Sequence, residues 1–278
     1  MPAVLGTNIA SLWASKNLQT AQSNMADSVE RLSSGLRINR AKDDAAGLGI
    51  ANSLTQQING ANQGIKNLND GISIVQTAEG AIGAVSEMAQ RIMTLATQAL
   101  NGSMGTDQKT AIVNEMKAIV TSINSVQTRT KFSGITLLDG VAVTIQASNV
   151  SGDTITIDSG TSLRKIGGTS NELASTLSAS INAGSPNYTT ILSNANTYIT
   201  ALDTQRGNLG ALQNQMDYAI SNVTEMASNL SAARSRVIDT DYASETASLT
   251  KGQILQQAAT AMLAQANQMP NVILTLLK

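Results

Sequence analysis

Three observations predict a mainly α protein, a long antiparallel coiled-coil-like helical bundle, or rod, with a small β-hairpin region and with its N- and C-terminal helices paired. Apolar residues recur at steps of seven over several stretches, the seam by which helices pack along one another. The three prolines stand at positions 2, 186 and 270, so nothing between 3 and 185 carries that helix breaker. Hydrophobic residues make up 42% of the chain but aromatic ones only 2%, so the core must be built from Ala, Leu, Ile, Val and Met, which suits thin helix packing better than a thick interior.

The first element is a helix whose seam is Leu18, Met25 and Leu32, with Gly35 as its stop. A second helix is expected from about Asp44 to about Asn101, because Leu54, Ala61, Leu68, Val75, Ile82 and Ala89 step by seven, joined by Ile58, Ile65 and Ile72. Asn101-Gly102 ends it. Thr106 then caps a third helix, with Asp107 at its positive end and Ile112, Met116, Ile119, Ile123 and Val126 as its stripe.

The period then changes. Val141, Val143, Ile145 and Ala147 alternate with polar neighbours, as do Ile155 and Ile157 beyond the turn-rich Asn149–Asp153, which predicts a β-hairpin over 141–158. A short helix follows, with Thr169 and Glu172 in capping-box register and Leu173, Leu177 and Ile181 on one stripe. Ser, Thr and Gly dominate the surrounding residues, so 159–187 reads as a short variable region at an exposed tip.

The longest seam is Ala195, Leu202, Leu209, Met216, Val223, Leu230 and Val237, with Leu212, Ala219, Met226 and Ala233 as its partner row. At ~1.5 Å per residue such a helix reaches ~65 Å, longer than an ordinary domain is wide. The last seam is Leu255, Met262, Met269 and Leu276, inside a stretch from Gly252 to Leu277 that has no charged residue. Apolar seams at both ends, with little in a thin chain to cover them, imply self-assembly through the termini. Two domains are therefore expected: a terminal coiled-coil domain of residues 1–44 and 239–278, forming the inner core of an assembly, and a rod domain of 45–238.

Composition excludes several functions. Zero His and zero Cys remove the commonest general base, the commonest metal ligand and every thiol mechanism, so no catalysis and no cofactor is expected. Eighteen Lys and Arg balance nineteen Asp and Glu without a basic run, and rings to stack bases are scarce, which argues against nucleic acid. The N-terminus lacks the basic and apolar regions of a cleavable signal peptide. The uncharged C-terminal stretch is interrupted by Gln253, Gln256, Gln257, Gln265, Asn267, Gln268 and Asn271, and Pro270 would kink it, so it reads as packing surface and no membrane span is expected.

Helical signal breaks over residues 31–50, RLSSGLRINRAKDDAAGLGI. Gly35 stops one helix and Asp43 or Asp44 caps the next, while Arg31, Arg37, Arg40 and Lys42 sit among these carboxylates, so an interdomain joint is expected at Arg31, Gly35, Arg37, Arg40, Asp43 and Asp44. The adjacent aspartates read as capping groups rather than a catalytic pair. Gly47-Leu48-Gly49 is no dinucleotide fingerprint, since Asn52 fills the third glycine position and no strand precedes it.

This stretch resembles the N-terminal signature of bacterial flagellins. Ser235-Arg236-Val237-Ile238-Asp239-Thr240-Asp241-Tyr242-Ala243, followed by Ile254-Leu255-Gln256-Gln257-Ala258, resembles their C-terminal signature. The resemblance covers residues 1–140 and 188–278, and the large outer domains of long flagellins are missing. It implies a structural subunit that polymerises into the flagellar filament for swimming motility, with the termini paired in the filament core and disordered before assembly. It further implies export through the flagellum's own apparatus to an extracellular site, with an export chaperone on the C-terminal segment, and cap and junction proteins as partners. At the surface read by a host Toll-like receptor, the positions similar to the family's are Gln90, Arg91, Leu95 and Glu115, while Ala89 replaces the usual Leu. Leu274, Leu276 and Leu277 are similar to leucines detected by cytosolic host sensors. Two other readings stay open on the residues: a hook-filament junction protein, and a monomeric helical surface adhesin or binding protein.

Overall fold

The structure is a computed structural model that describes residues 8–138, 142–150, 152–157, 172–183 and 186–276, without the side chains of 172–175 and 269–276. Six helices, α1 Ile9–Ser34, α2 Ala45–Ala99, α3 Thr106–Arg129, α4 Glu172–Asn182, α5 Tyr188–Ile238 and α6 Tyr242–Leu276, are joined by β1 Lys131–Phe132, β2 Ile135–Thr136, β3 Val143–Gln146 and β4 Thr154–Ile157. The chain forms two compact units, a terminal one of 1–56 with 229–278 and a central one of 57–228. The terminal unit thus takes in residues 45–56 and 229–238, which the sequence reading gave to the rod. Ala51 and Ile238 belong there because they cluster with Ile38.

In the central unit, the buried positions of α2 follow Ala61, Leu68, Val75, Ile82 and Ala89, as the seven-residue step requires. The second row differs from expectation. Ile58, Ile65 and Ile72 are only half-buried, and Gly64, Gly71, Ala78, Val85, Ile92 and Ala99 fill the seam. Steps of three and four alternate along these positions, as in coiled coils.

Two glycines in the seam have a physical reason. The β3–β4 hairpin lies directly on α2, and a Cβ at Gly64 would run into the carbonyl of Ala147, while one at Gly71 would meet Met216 Sδ at 2.8 Å and Ile145 Cγ1 at 3.1 Å. Asn67 Nδ2 donates to the Gln146 carbonyl at 3.0 Å, tying strand to helix. The hairpin is antiparallel, with Val143 opposite Ile157 and Ile145 opposite Ile155, and Gly152 turns it at φ 91°. The expected ends at 141 and 158, and Thr169, lie outside the described residues, as does the side chain of Leu173. Leu177 and Ile181 of α4 are fully buried.

Helix α3 contributes Ile112, Met116 and Ile123 to this core, and α5 contributes Ile191, Ala195, Tyr198, Leu202, Leu209 and Met216. Burial pushes the Tyr198 phenol well above its usual pKa despite the hydrogen bond from Gln127. Two local expectations change. Gly105, not Thr106, caps α3, with the Gln108 side chain accepting from its N–H at 3.1 Å. In α5, Ala227 is buried where Met226 was expected, and Met226 faces out. A second hairpin, β1–β2, pairs Phe132 with Ile135. Ser133 and Gly134 turn it at φ 47° and 85°, the left-handed pair of a type I′ turn.

Candidate functional site

The terminal unit is built on α1 and α6, which run antiparallel: Asn8 Nδ2 donates to Ala266 O at 2.7 Å and Ser11 Oγ to Asn267 Oδ1 at 2.9 Å at one end, and Arg31 meets Glu245 at 3.7 Å at the other. Asn8 also caps α1 by accepting from Ser11 N–H. The inner row of α1 is Ser11, Ala14, Leu18, Ala21, Met25, Ser28 and Leu32. Leu18, Met25 and Leu32 are therefore half-buried within the chain's own helix pair, although the sequence reading left them for a neighbouring molecule. Small residues between them bring the helices close; a Cβ on Gly252 would sit 3.5 Å from Met25 Cβ.

Helix α6 behaves differently. Its inner row is Leu249, Gly252, Gln256, Ala259, Leu263 and Ala266, whereas the predicted seam points outward, with Leu255 48% and Met262 63% exposed. Met269 and Leu276 lie on the same helix, their side chains outside the described set. Leu12, Trp13 and Ile254 are exposed too. These were not singled out in the sequence, although Trp13 is the chain's one tryptophan. An open groove of about 730 Å³ runs along this side of the pair, with Trp13, Ala14, Ala21, Leu255, Met262 and Ala266 among its lining. A second depression of about 430 Å³ shares Ala21, Asn24 and Leu255 with it and ends among Asp27, Arg31, Glu245 and Lys251. One side of the pair is thus apolar toward Trp13 and charged toward Arg31.

The α1–α2 connection, expected as a joint between domains, lies within the terminal unit; there Gly35 adopts φ 72° and its N–H donates to Arg31 O at 2.9 Å, closing α1. The chain then pairs with the start of the return segment. Leu36 bridges to Asp239, Arg37 N–H donates to Ile238 O at 2.6 Å, and Thr240 N–H donates to Gly35 O at 3.0 Å. The Arg37 guanidinium donates to the Val237 carbonyl and Arg40 pairs with Glu30 at 2.9 Å. The two aspartates divide the labour. Asp44 caps α2 by accepting from Gly47 N–H at 2.8 Å, and Asp43 Oδ2 accepts from the N–H groups of Arg40 and Asn39 at 2.9 and 3.2 Å.

The Arg40 amide bond is the main reason the Asp43 carboxyl titrates below its usual range; desolvation opposes it, and the Asn39 bond, Lys42 and Arg31 add to the lowering. The four cations do not neutralise these aspartates by direct ion pairs; three of them reach other segments. A further cap escaped the sequence reading: Asp241 Oδ1 accepts from Ala243 N–H at 3.0 Å and starts α6. The signal was present as an Asp just before an uninterrupted helical run.

Of the proposed receptor positions, Gln90, Arg91 and Glu115 are exposed, and Arg91 forks onto Glu115 Oε1 through Nε at 3.0 Å and Nη2 at 2.7 Å. Leu95 does not join them. It is 1% exposed and belongs to the central core, as does Ala89. Among the described residues no His/Cys/Asp/Glu cluster suits a metal ion, and no helix is long and apolar enough to cross a membrane.

Terminal helices that come from opposite ends of the sequence, pair antiparallel and leave an apolar groove outward define a structural, self-associating helical protein. Comparison with known proteins makes this specific. The bacterial flagellin N-terminal helical region matches residues 5–143 and the bacterial flagellin C-terminal helical region matches 192–277. The chain is 37% identical to a flagellin of Halalkalibacterium halodurans over 284 residues, covering 99% of this chain and all of that one. It is 32% identical to flagellin B of Vibrio cholerae serotype O1 over 374 residues, covering 98% and 99%. That alignment is longer than this chain's 278 residues, so the Vibrio protein carries inserted sequence absent here. A crystal structure of Bacillus cereus flagellin aligns with 61% of this chain and 94% of its own at 28% identity and a TM-score of 0.45. The chain belongs to the bacterial flagellin family. It is a structural filament subunit that polymerises with itself and not an enzyme.

Proposed function

We propose that the α1–α6 pair, residues 1–44 with 239–278, is the element that drives polymerisation and forms the inner core of the filament, with 45–238 as the wall. The observation that carries this reading is the outward apolar groove around Trp13, Leu255 and Met262. Covering a side chain of that size contributes ~1.5–3 kcal/mol, so helices from neighbouring subunits laid along the groove supply the assembly energy. Its charged end, at Asp27, Arg31 and Lys251, fixes the direction in which they lie. Before assembly the pair is held by half-buried and small residues, with polar contacts at its two ends, which fits a terminus that orders fully when the groove is filled.

By the same reading the subunit leaves the cell unfolded through the flagellar export apparatus, with a chaperone on the exposed face of α6 and the cap and junction proteins meeting the filament's ends. Recognition by a host Toll-like receptor rests on Gln90, Arg91 and Glu115 as an exposed polar patch; with Leu95 and Ala89 buried, the patch has no apolar anchor of its own and weak activation is expected.

The deciding experiment seeds purified monomer with short filament fragments and images both the full chain and a chain ending at Lys251. Long filaments from the full chain alone support the reading. Growth from both, or protease-resistant termini in a monomer that never grows, would overturn it.

A further inference from the structure

Asn precedes Gly twice in this chain, at Asn59-Gly60 and Asn101-Gly102, and the fold treats the two pairs oppositely. Such a pair is chemically labile because the glycine nitrogen can attack the side-chain amide carbon with no Cβ in the way. Attack needs a backbone N–H that is not otherwise engaged.

Asn101 lies in the loop between α2 and α3, and both it and Gly102 are exposed. The neighbouring amides are occupied: Asn101 N–H donates to Gln98 O at 3.1 Å and Met104 N–H to Asn101 O at 3.4 Å. The Gly102 N–H makes no hydrogen bond among the described residues, and the space around Gly102 is open. Asn101 Oδ1 accepts from Ser103 N–H at 3.1 Å and from Ser103 Oγ at 3.0 Å. The ring closed by the first of these bonds contains both atoms that must join, the Asn101 amide carbon and the Gly102 nitrogen. Two donors on Oδ1 also draw charge from that carbon and stabilise the oxyanion formed on attack. Asn59-Gly60 has none of this. It lies inside α2, where each N–H is committed to the carbonyl four residues back, and Asn149 packs over Gly60.

We propose that Asn101 is a site of spontaneous deamidation and that the fold protects Asn59. The Gly102 nitrogen bonds to the Asn101 side-chain carbon, and the side-chain nitrogen leaves as ammonia with the displaced amide proton, giving a cyclic imide. Water then adds to either imide carbonyl and opens the ring to aspartate or to isoaspartate, with no oxidant or reductant involved. Either product puts a negative charge at the carboxyl end of α2, where the helix dipole disfavours it. The isoaspartyl product also lengthens the backbone three residues before Met104, which packs on the central core. The subunit's charge thereby changes with its age.

The test incubates the full-length protein at mildly alkaline pH and follows both sites by peptide mapping, scoring the replacement of NH2 by OH and enzymatic methylation of isoaspartate. Folded protein should convert at Asn101 at least about tenfold faster than at Asn59, while denatured protein converts the two at similar rates. Ser103→Ala should slow Asn101 and leave Asn59 unchanged. Equal rates at the two sites in folded protein would overturn the proposal. So would an unreacted Asn101 over a time in which a free peptide of residues 98–105 converts.

Discussion

The central and terminal units use the same helical pattern and reach opposite outcomes. In the central unit the seam is closed: Leu68, Ile82, Ile92, Met116, Ile123 and Tyr198 are fully buried. In the terminal unit the seam faces partly outward, and no large side chain of it is among the largest fully buried ones, while Trp13, Leu255 and Met262 are exposed. The difference lies in the number of helices available to each stripe. Helices α2, α3, α4 and α5 with two hairpins surround one core, whereas α1 and α6 pack chiefly on one another. An apolar seven-residue step therefore states that a face will be covered, and the number of neighbouring elements decides whether the cover comes from the same chain.

That contrast can be broken, and the largest effect should come from the closed core. Leu68→Ala removes a side chain with 0% exposure and should destabilise the monomer by ~2–5 kcal/mol in denaturant unfolding. A loss under 1 kcal/mol would mean that the core is not closed. Next is the seat of the hairpin. Gly64→Ala places a methyl group against the Ala147 carbonyl, and the overpacking should cost ~1–3 kcal/mol, with amide exchange at β3 rising more than in α3. An unchanged exchange pattern would place the hairpin elsewhere.

Within the terminal unit the effects should be smaller. Gly35→Ala forces a side chain into φ 72° with the Tyr242 hydroxyl 3.0 Å from the new Cβ, which should cost ~1–2 kcal/mol and fray the end of α1, read by amide exchange at Arg31–Gly35. Acid should act on the same joint. The Asp43 carboxyl is held below its ordinary 3.8, so its contribution is present above that value and is lost as pH falls through the lower folded value. Asp43→Asn should remove that acid sensitivity, and an NMR titration of Asp43 midway at or above 3.8 would contradict the mechanism.

The smallest effect on the monomer should sharpen the comparison most. Met262→Ser lies on the open face and should leave monomer unfolding within ~0.5 kcal/mol of the parent. The same change should raise the critical concentration for filament growth about tenfold or more. If unfolding fell as far as for Leu68→Ala, the face would be internal rather than a contact between subunits.

Sequence by itself determined which segments are helical, because the repeats around Leu68, Leu209 and Met262 and the lack of proline between 3 and 185 are local facts. It also determined the β3–β4 hairpin, from the alternation at Val143 to Ala147, and the helix stop at Gly35 and cap at Asp44. Tertiary structure alone decided which neighbour each stripe meets. Gly64 and Gly71 fill a seam where Ile65 and Ile72 were expected because the Ala147 backbone lies against the first and the Met216 and Ile145 side chains against the second, and no helix pattern records the approach of a distant strand. Leu18 and Leu255 read alike in sequence, yet one is turned toward the paired helix and the other away. A repeat of seven fixes the spacing along one face, whereas the rotation of the helix about its axis is set by the partner, here the small residues Ala21, Ser28, Gly252 and Ala259 that let the two backbones approach.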